Sequence, residues 1–174
     1  CQGEIIQTQR RFDLTLSKQE YFKIIELKTG ALFAVAAQLG ARISQASDET
    51  QLQLKEFGLK IGTAYQIYDD CIDLVGDETN TGKTLGTDLE KGKLTLPLLN
   101  LISSGTEAQK EKLNQRILLK EPIDTNVLAG IADYDGAIER ALETGKSLLA
   151  ESRELLLPLN ESSYKTGLIE ITNY

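Results

Sequence analysis

Apolar positions recur at helical spacing along almost the whole chain, and strict alternation is rare. Ser17-Lys18-Gln19-Glu20 has the capping-box pattern, a hydroxyl residue followed three positions later by Glu, and it predicts a helix reaching Lys28-Thr29. Gly30 is a candidate kink, beyond which Ala31 to Ile43 continues with the same periodicity. Ser47-Asp48-Glu49 opens a further helix that runs to about Val75. From Gly76 to Gly92 the chain is polar, with glycines at 76, 82, 86 and 92, and reads as a long ordered loop of the kind that often carries function. Helices follow around Thr95 to Ile102, from Thr106 to Leu119, after Pro122, from about Asp135 to Leu157, and from Ser163 onward. There are only three prolines, and the one Asp-Gly pair, Asp135-Gly136, leads into a helix rather than a hairpin. The pattern predicts one all-α unit without a repeat or a linker.

Composition narrows the chemistry. The chain has 174 residues with 41% apolar content, which fits one domain or most of one. Its net charge of −7 argues against a nucleic-acid binder. The absence of His removes Ser-His-Asp and Cys-His catalysis and HExxH zinc sites together. Cys1 and Cys71 are far apart and form no disulfide framework, so a reduced, cytoplasmic protein is expected. No apolar run approaches the length of a membrane span, so no transmembrane segment is expected. There is no Met, and Cys1 to Gln7 read as the middle of a helix with no cap before it. The chain is therefore expected to be the later part of a longer protein.

Against this background the carboxylates stand out. Gln66, Asp69, Asp70, Asp73 and Asp77 fall within an arc of about 100° on one helix. The apolar residues opposite, from Ala64 to Val75, span roughly 180°, wider than an ordinary surface stripe, and predict a helix packed on more than one side. Two readings are open for the acidic arc. On a solvated face, carboxylates one turn apart repel by only ~0.7 kcal/mol. In a cleft of effective dielectric near 20, the repulsion is ~3 kcal/mol, and three carboxylates need a cation. Mg²⁺ suits such a site, because it takes one or two carboxylates and completes its shell with water and phosphate oxygens. Lys83, Lys91 and Lys93 follow, with Asp88 among them, and ammonium groups beside a carboxylate-metal site are what a polyphosphate needs. Each lysine taken singly reads as a solvated loop residue. Gly82-Lys83-Thr84 is not a Walker A loop, since the glycine spacing is one too long and a helix precedes it. Asp77 to Asp88 has the length of an EF-hand loop but too few ligands.

Gln66-Ile67-Tyr68-Asp69-Asp70-Cys71-Ile72-Asp73, then Gly82-Lys83, then the run from Gly86 to Pro97, closely resembles the second aspartate-rich region of the trans-type isoprenyl diphosphate synthases. Lys28-Thr29 resembles the family's Lys-Thr pair, and Gly3-Glu4 with Gln7 its preceding helix. The resemblance implies a helical bundle around a central cleft, of which residues 1–174 are the C-terminal part. It implies that Asp69 and Asp73 ligate Mg²⁺ on the diphosphate of an allylic substrate, with Asp70 in support. Lys28, Lys83 and Lys93 would contact that diphosphate, and Thr29 and Gln66 would place oxygens near the developing allylic cation. Judged without the motif, Thr29 reads as a helix residue bonding its own backbone and Gln66 as a buried amide.

The implied reaction is head-to-tail (1′-4) condensation of an allylic diphosphate with isopentenyl diphosphate, in a homodimer. The run Gly92 to Pro97 leans towards the longer-chain polyprenyl members. The family has two aspartate-rich regions, and this chain has one. On this reading it carries half of an active site and is inactive alone. The alternatives are a non-catalytic or regulatory subunit of such a synthase, or a helical interaction domain with a solvated acidic face.

Overall fold

Ser17 caps the first long helical run as its sequence predicts. Its hydroxyl accepts the Glu20 N–H, and the Glu20 carboxylate accepts the Ser17 N–H at 3.0 Å. The computed structural model describes residues 2–75, 86–119 and 125–173. The helices are α1 (Gln2–Gln9), α2 (Lys18–Ile25), α3 (Ala31–Ile43), α4 (Asp48–Val75), α5 (Thr87–Glu90) and α6 (Leu96–Ser104), then α7 (Glu107–Leu118), α8 (Thr125–Ala129), α9 (Tyr134–Glu154) and α10 (Ser163–Glu170). Among the described residues there is no strand.

The candidate kink at Gly30 takes another form. A single π-helical turn, Glu26–Gly30, joins α2 to α3 without a break, and Gly30 has ordinary helical torsions. This turn carries Lys28 and Thr29, and such π-bulges concentrate at functional sites. The run Lys18–Ile43 is 26 residues long and is long and apolar enough, by length and composition, to cross a membrane. It qualifies although no uninterrupted apolar run is that long: Glu26 and Lys28 interrupt the apolar sequence without lowering its mean hydropathy enough.

In the fold this run packs along α4, which is central, with α3 on one side and α9 on another, while α6 packs on α9 and α4. The approach of α3 to α4 depends on small residues. A Cβ at Gly58 would lie 2.4 Å from the Phe33 carbonyl oxygen, and one at Gly62 would lie 2.8 Å from the Gly30 Cα. The main core gathers Ile24 and Ile25 of α2, Ile67 and Leu74 of α4, Leu98 and Leu101 of α6, and Ala141 of α9. A smaller cluster of Phe57, Ile61 and Leu156 packs with residues of α10. There the buried Lys165 ammonium donates to the Leu159 carbonyl at 2.8 Å and pairs with Glu161 at 2.6 Å.

Two expectations about α4 and its loop are revised. Gln66 and Asp70, from the acidic arc, are buried, whereas Tyr65, Tyr68 and Val75 of the apolar side are about half exposed. The reason is that α2 closes over Asp70, so a polar partner rather than water meets it. Within the expected loop, Thr87–Glu90 forms a helical turn, entered from Gly86 at φ +73. Residues 76–85, with Lys83, and residues 120–124, with Pro122, lie outside the described residues.

Candidate active site

The π turn and the middle of α4 meet at one hydrogen bond. Thr29 Oγ1 donates to Gln66 Oε1 at 2.6 Å, joining residues 37 positions apart. Gln66 Nε2 donates in turn to Asp70 Oδ1 at 2.8 Å, and Asp70 Oδ2 accepts the Tyr21 hydroxyl proton at 2.7 Å. The row therefore runs from α2 through α4 to the π turn. Thr29 is half-buried, while Gln66, Asp70 and Tyr21 are buried.

Burial dominates the electrostatics of this row. It pushes the Asp70 carboxyl up to about 7, against the opposing effect of the hydrogen bonds from Tyr21 and Gln66. The charge of Asp88 raises it further, and that of Lys28 lowers it. The Tyr21 phenol is pushed well above its usual range by burial and by the Asp70 charge. The neighbouring Cys71 is a buried free thiol, pushed up to about 12 by burial.

Asp73, one turn beyond, belongs to a second group. Its Oδ2 accepts the Asp88 backbone N–H at 3.0 Å and its Oδ1 the Thr87 hydroxyl at 3.3 Å. Burial raises the Asp73 carboxyl, and the nearby Asp88 charge adds to that. The Lys93 ammonium is paired with Asp88 Oδ1 at 2.6 Å. Lys28 sits apart from this group: its ammonium donates to Gln7 Oε1 at 3.0 Å and lies 3.6 Å from Glu4 of α1. A Cβ at Gly3 would come within 2.5 Å of the Lys28 backbone nitrogen, so α1 reaches Lys28 only because position 3 is glycine.

Of the residues singled out by sequence, Thr29, Gln66 and Asp70 are thus in one bonded row. Asp73, Asp88 and Lys93 form an adjoining group, Asp69 is half-buried on the same helix, and Lys83 lies outside the described residues. Tyr21 was not among them. An aromatic residue on an amphipathic helix gives no sequence signal to separate it from core. Among the described residues no three acidic side chains converge closely enough to hold a cation by themselves. Half-buried Asp69 and Asp73 nonetheless offer the hard oxygen donors that suit a small divalent cation completed by water and phosphate.

The family model described as Polyprenyl synthetase matches residues 1–134. Geranylgeranyl diphosphate synthase of Methanosarcina mazei is 30% identical over 174 residues, covering 100% of this chain and 52% of that protein. The crystal structure of a decaprenyl diphosphate synthase from Rhodobacter capsulatus superposes with a TM-score of 0.89 at 25% identity, covering 99% of this chain and 54% of that one. A polyprenyl synthase from Caulobacter crescentus, solved in complex with calcium and isoprenyl diphosphate, gives a TM-score of 0.88 at 30% identity and covers 98% and 53%. The chain spans about half the length of the relatives it matches. These likenesses extend over α1 to α10, so the all-α architecture expected from the sequence is that of the isoprenoid synthase fold. The chain belongs to the polyprenyl synthetase family.

Proposed function

We propose that the chain is the C-terminal part of a trans-polyprenyl diphosphate synthase, a cytoplasmic homodimer that condenses an allylic diphosphate with isopentenyl diphosphate head to tail. The observation that carries this reading is the Thr29–Gln66 hydrogen bond, with Gln66 anchored on Asp70. It sets two side-chain oxygens, from two helices, beside a carboxylate-bearing stretch of α4. The calcium and isoprenyl diphosphate bound to the Caulobacter crescentus synthase support the same reading.

In this reaction the allylic carbon–oxygen bond breaks, the isopentenyl double bond attacks the resulting cation, and a proton is lost. The bond breaks only if the leaving diphosphate is stabilised as it gains charge. Asp69 and Asp73 would hold Mg²⁺, which supplies neutralising charge at the diphosphate when bound. Lys28 and Lys83 add ammonium groups, and Lys93 joins them by leaving Asp88. Thr29 gives its proton to Gln66, so its lone pairs remain to face an electron-poor carbon. The buried amide and hydroxyl, fixed in advance, do this without reorganising at the moment of reaction.

The test is thermal melting of the chain in EDTA and then with Mg²⁺ and inorganic diphosphate. Binding to the folded state alone raises the melting temperature. A rise that needs both ligands, and that shrinks in Asp69→Asn and Asp73→Asn, is the expected result. No rise with both ligands present, or an undiminished rise in the two variants, overturns the assignment.

A further inference from the structure

We propose that Tyr21 is a positioning residue: by donating its phenol proton to Asp70 Oδ2 it orients the Asp70 carboxylate, which in turn fixes the Gln66 amide with its oxygen on Thr29. The geometry rests on three contacts, 2.7 Å from Tyr21 to Asp70, 2.8 Å from Gln66 to Asp70 and 2.6 Å from Thr29 to Gln66. The catalytic consequence rests on the prenyl-transfer reading above.

The two ends of a glutamine amide are nearly the same shape and opposite in polarity, and only the hydrogen-bond partners tell them apart. In its ionised form Asp70 accepts and does not donate, so the end of Gln66 that meets it is nitrogen. That discrimination lasts as long as Asp70 keeps one oxygen aimed at Gln66. The side chain is only 3% exposed as a residue, so water does not hold it. Tyr21 does, and Tyr21 is itself held, because it is 2% exposed and packed within the main core.

The π turn contributes to the alignment. Residues 21 and 29 of a regular α-helix are about 80° apart around the axis. One extra residue in the turn between them takes up most of that offset. Tyr21 and Thr29 therefore both address α4, one through Asp70 and one through Gln66.

If the amide reverses, Gln66 Nε2 donates to Thr29 Oγ1 and the Thr29 proton is released outward. Both groups then present positive rather than negative ends to an electron-poor carbon. Diphosphate binding, which depends on lysines and metal, is untouched. A reversed amide therefore lowers kcat and leaves KM for the allylic diphosphate in place.

The experiment has two arms. In the first, the side-chain amide of Gln66 is followed by ¹⁵N NMR in the chain itself, with far-ultraviolet circular dichroism as the check on folding. The wild type gives one inequivalent pair of amide protons. Tyr21→Phe loses that single environment and shows a shifted or doubled pair. Asp70→Asn gives a second route: Tyr21 donates to the new amide oxygen, its NH₂ meets Gln66, and Gln66 reverses. An unchanged Gln66 pair in folded Tyr21→Phe overturns the proposal, whatever the protein catalyses. So does an unchanged pair in folded Asp70→Asn. In the second arm, the full-length synthase carrying Tyr21→Phe is expected to lose about tenfold or more in kcat, with KM for the allylic diphosphate within about twofold. A raised KM with unchanged kcat overturns the positioning role. A wild type that condenses nothing refutes the prenyl-transfer reading instead, and the amide resonances still decide the role of Tyr21.

Discussion

Phe12 and Gly92, eighty positions apart, hold each other in left-handed backbone conformations. The Phe12 N–H donates to the Gly92 carbonyl at 2.8 Å, with φ +58 at Phe12 and +73 at Gly92. A Cβ on Gly92 would lie 2.4 Å from the Phe12 ring. This contact ties the segment before α2 to the loop that carries Asp88 and Lys93, and so to Asp73.

Gly92→Ala is therefore expected to destabilise the chain by about 1–3 kcal/mol, from backbone strain and the displaced ring together. Gly86 has the same φ of +73, but a Cβ there meets nothing within 4 Å among the described residues. Gly86→Ala should show the strain alone, about 1–2 kcal/mol. Urea unfolding of the two variants side by side checks this. A larger loss at Gly86 than at Gly92 contradicts the packing assigned to Phe12.

The α3–α4 interface makes a second contrast between glycines. At Gly58 a Cβ would sit 2.4 Å from a backbone oxygen, and backbone cannot step aside as a side chain can. Gly58→Ala should cost on the order of 1–3 kcal/mol by forcing the helices apart. Gly40, in α3, has no atom of the described residues within 4 Å of its would-be Cβ. Gly40→Ala should stabilise by about 0.5–1 kcal/mol through helix propensity. Melting temperatures moving in opposite directions are the expected outcome.

These contrasts show what the sequence carried and what it did not. The Ser17 box and the start of α4 near Ser47 were legible, because capping chemistry and period are local properties. The π turn was not, since a change from i→i+4 to i→i+5 bonding leaves the apolar spacing readable as a kink. The resemblance implied that Thr29 and Gln66 act together, but it grouped Asp70 with Asp69 and Asp73 rather than with Gln66. The burial of Asp70 was not legible, because its partner Tyr21 is 49 residues away and reads as core. Periodicity also placed Tyr65 and Tyr68 on the packed side, although each is about half exposed. Periodicity cannot say which apolar positions find a neighbour among these helices.

Asp70 also predicts a pH dependence. Its folded-state carboxyl is raised from 3.8 to about 7, so the folded chain binds more protons than the unfolded chain between those values. Its contribution to stability is fully present below about pH 4 and is lost as pH rises through about 7. Asp73, also raised by burial, acts in the same sense. Asp13, Glu20 and Glu151 are held low by hydrogen bonds and act oppositely, losing their contribution as the solution becomes acid. In EDTA, Asp70→Asn should flatten the fall in melting temperature between pH 5 and pH 8, leaving the smaller slope due to Asp73. An identical slope in the variant and the wild type would mean that Asp70 is not buried as a carboxyl.

The last prediction separates a lysine that binds substrate from one that holds helices together. Lys28 is bonded to Gln7 and close to Glu4, so on structure alone its role is to dock α1 on the π turn. On the prenyl-transfer reading it also meets a diphosphate that is anionic in the ground state and more so at the transition state. Lys28→Ala in the full-length synthase should then raise KM for the allylic diphosphate and lower kcat together. Gln7→Ala removes the docking partner and leaves the ammonium in place. If docking is all that Lys28 does, the two variants lose stability alike and their kinetics match. If the ammonium serves the diphosphate, Gln7→Ala keeps most of the activity while Lys28→Ala loses it. A neutral prenyl analogue sharpens the comparison: its binding should be indifferent to Lys28→Ala, and an equal loss for neutral and anionic ligands would assign the lysine to folding.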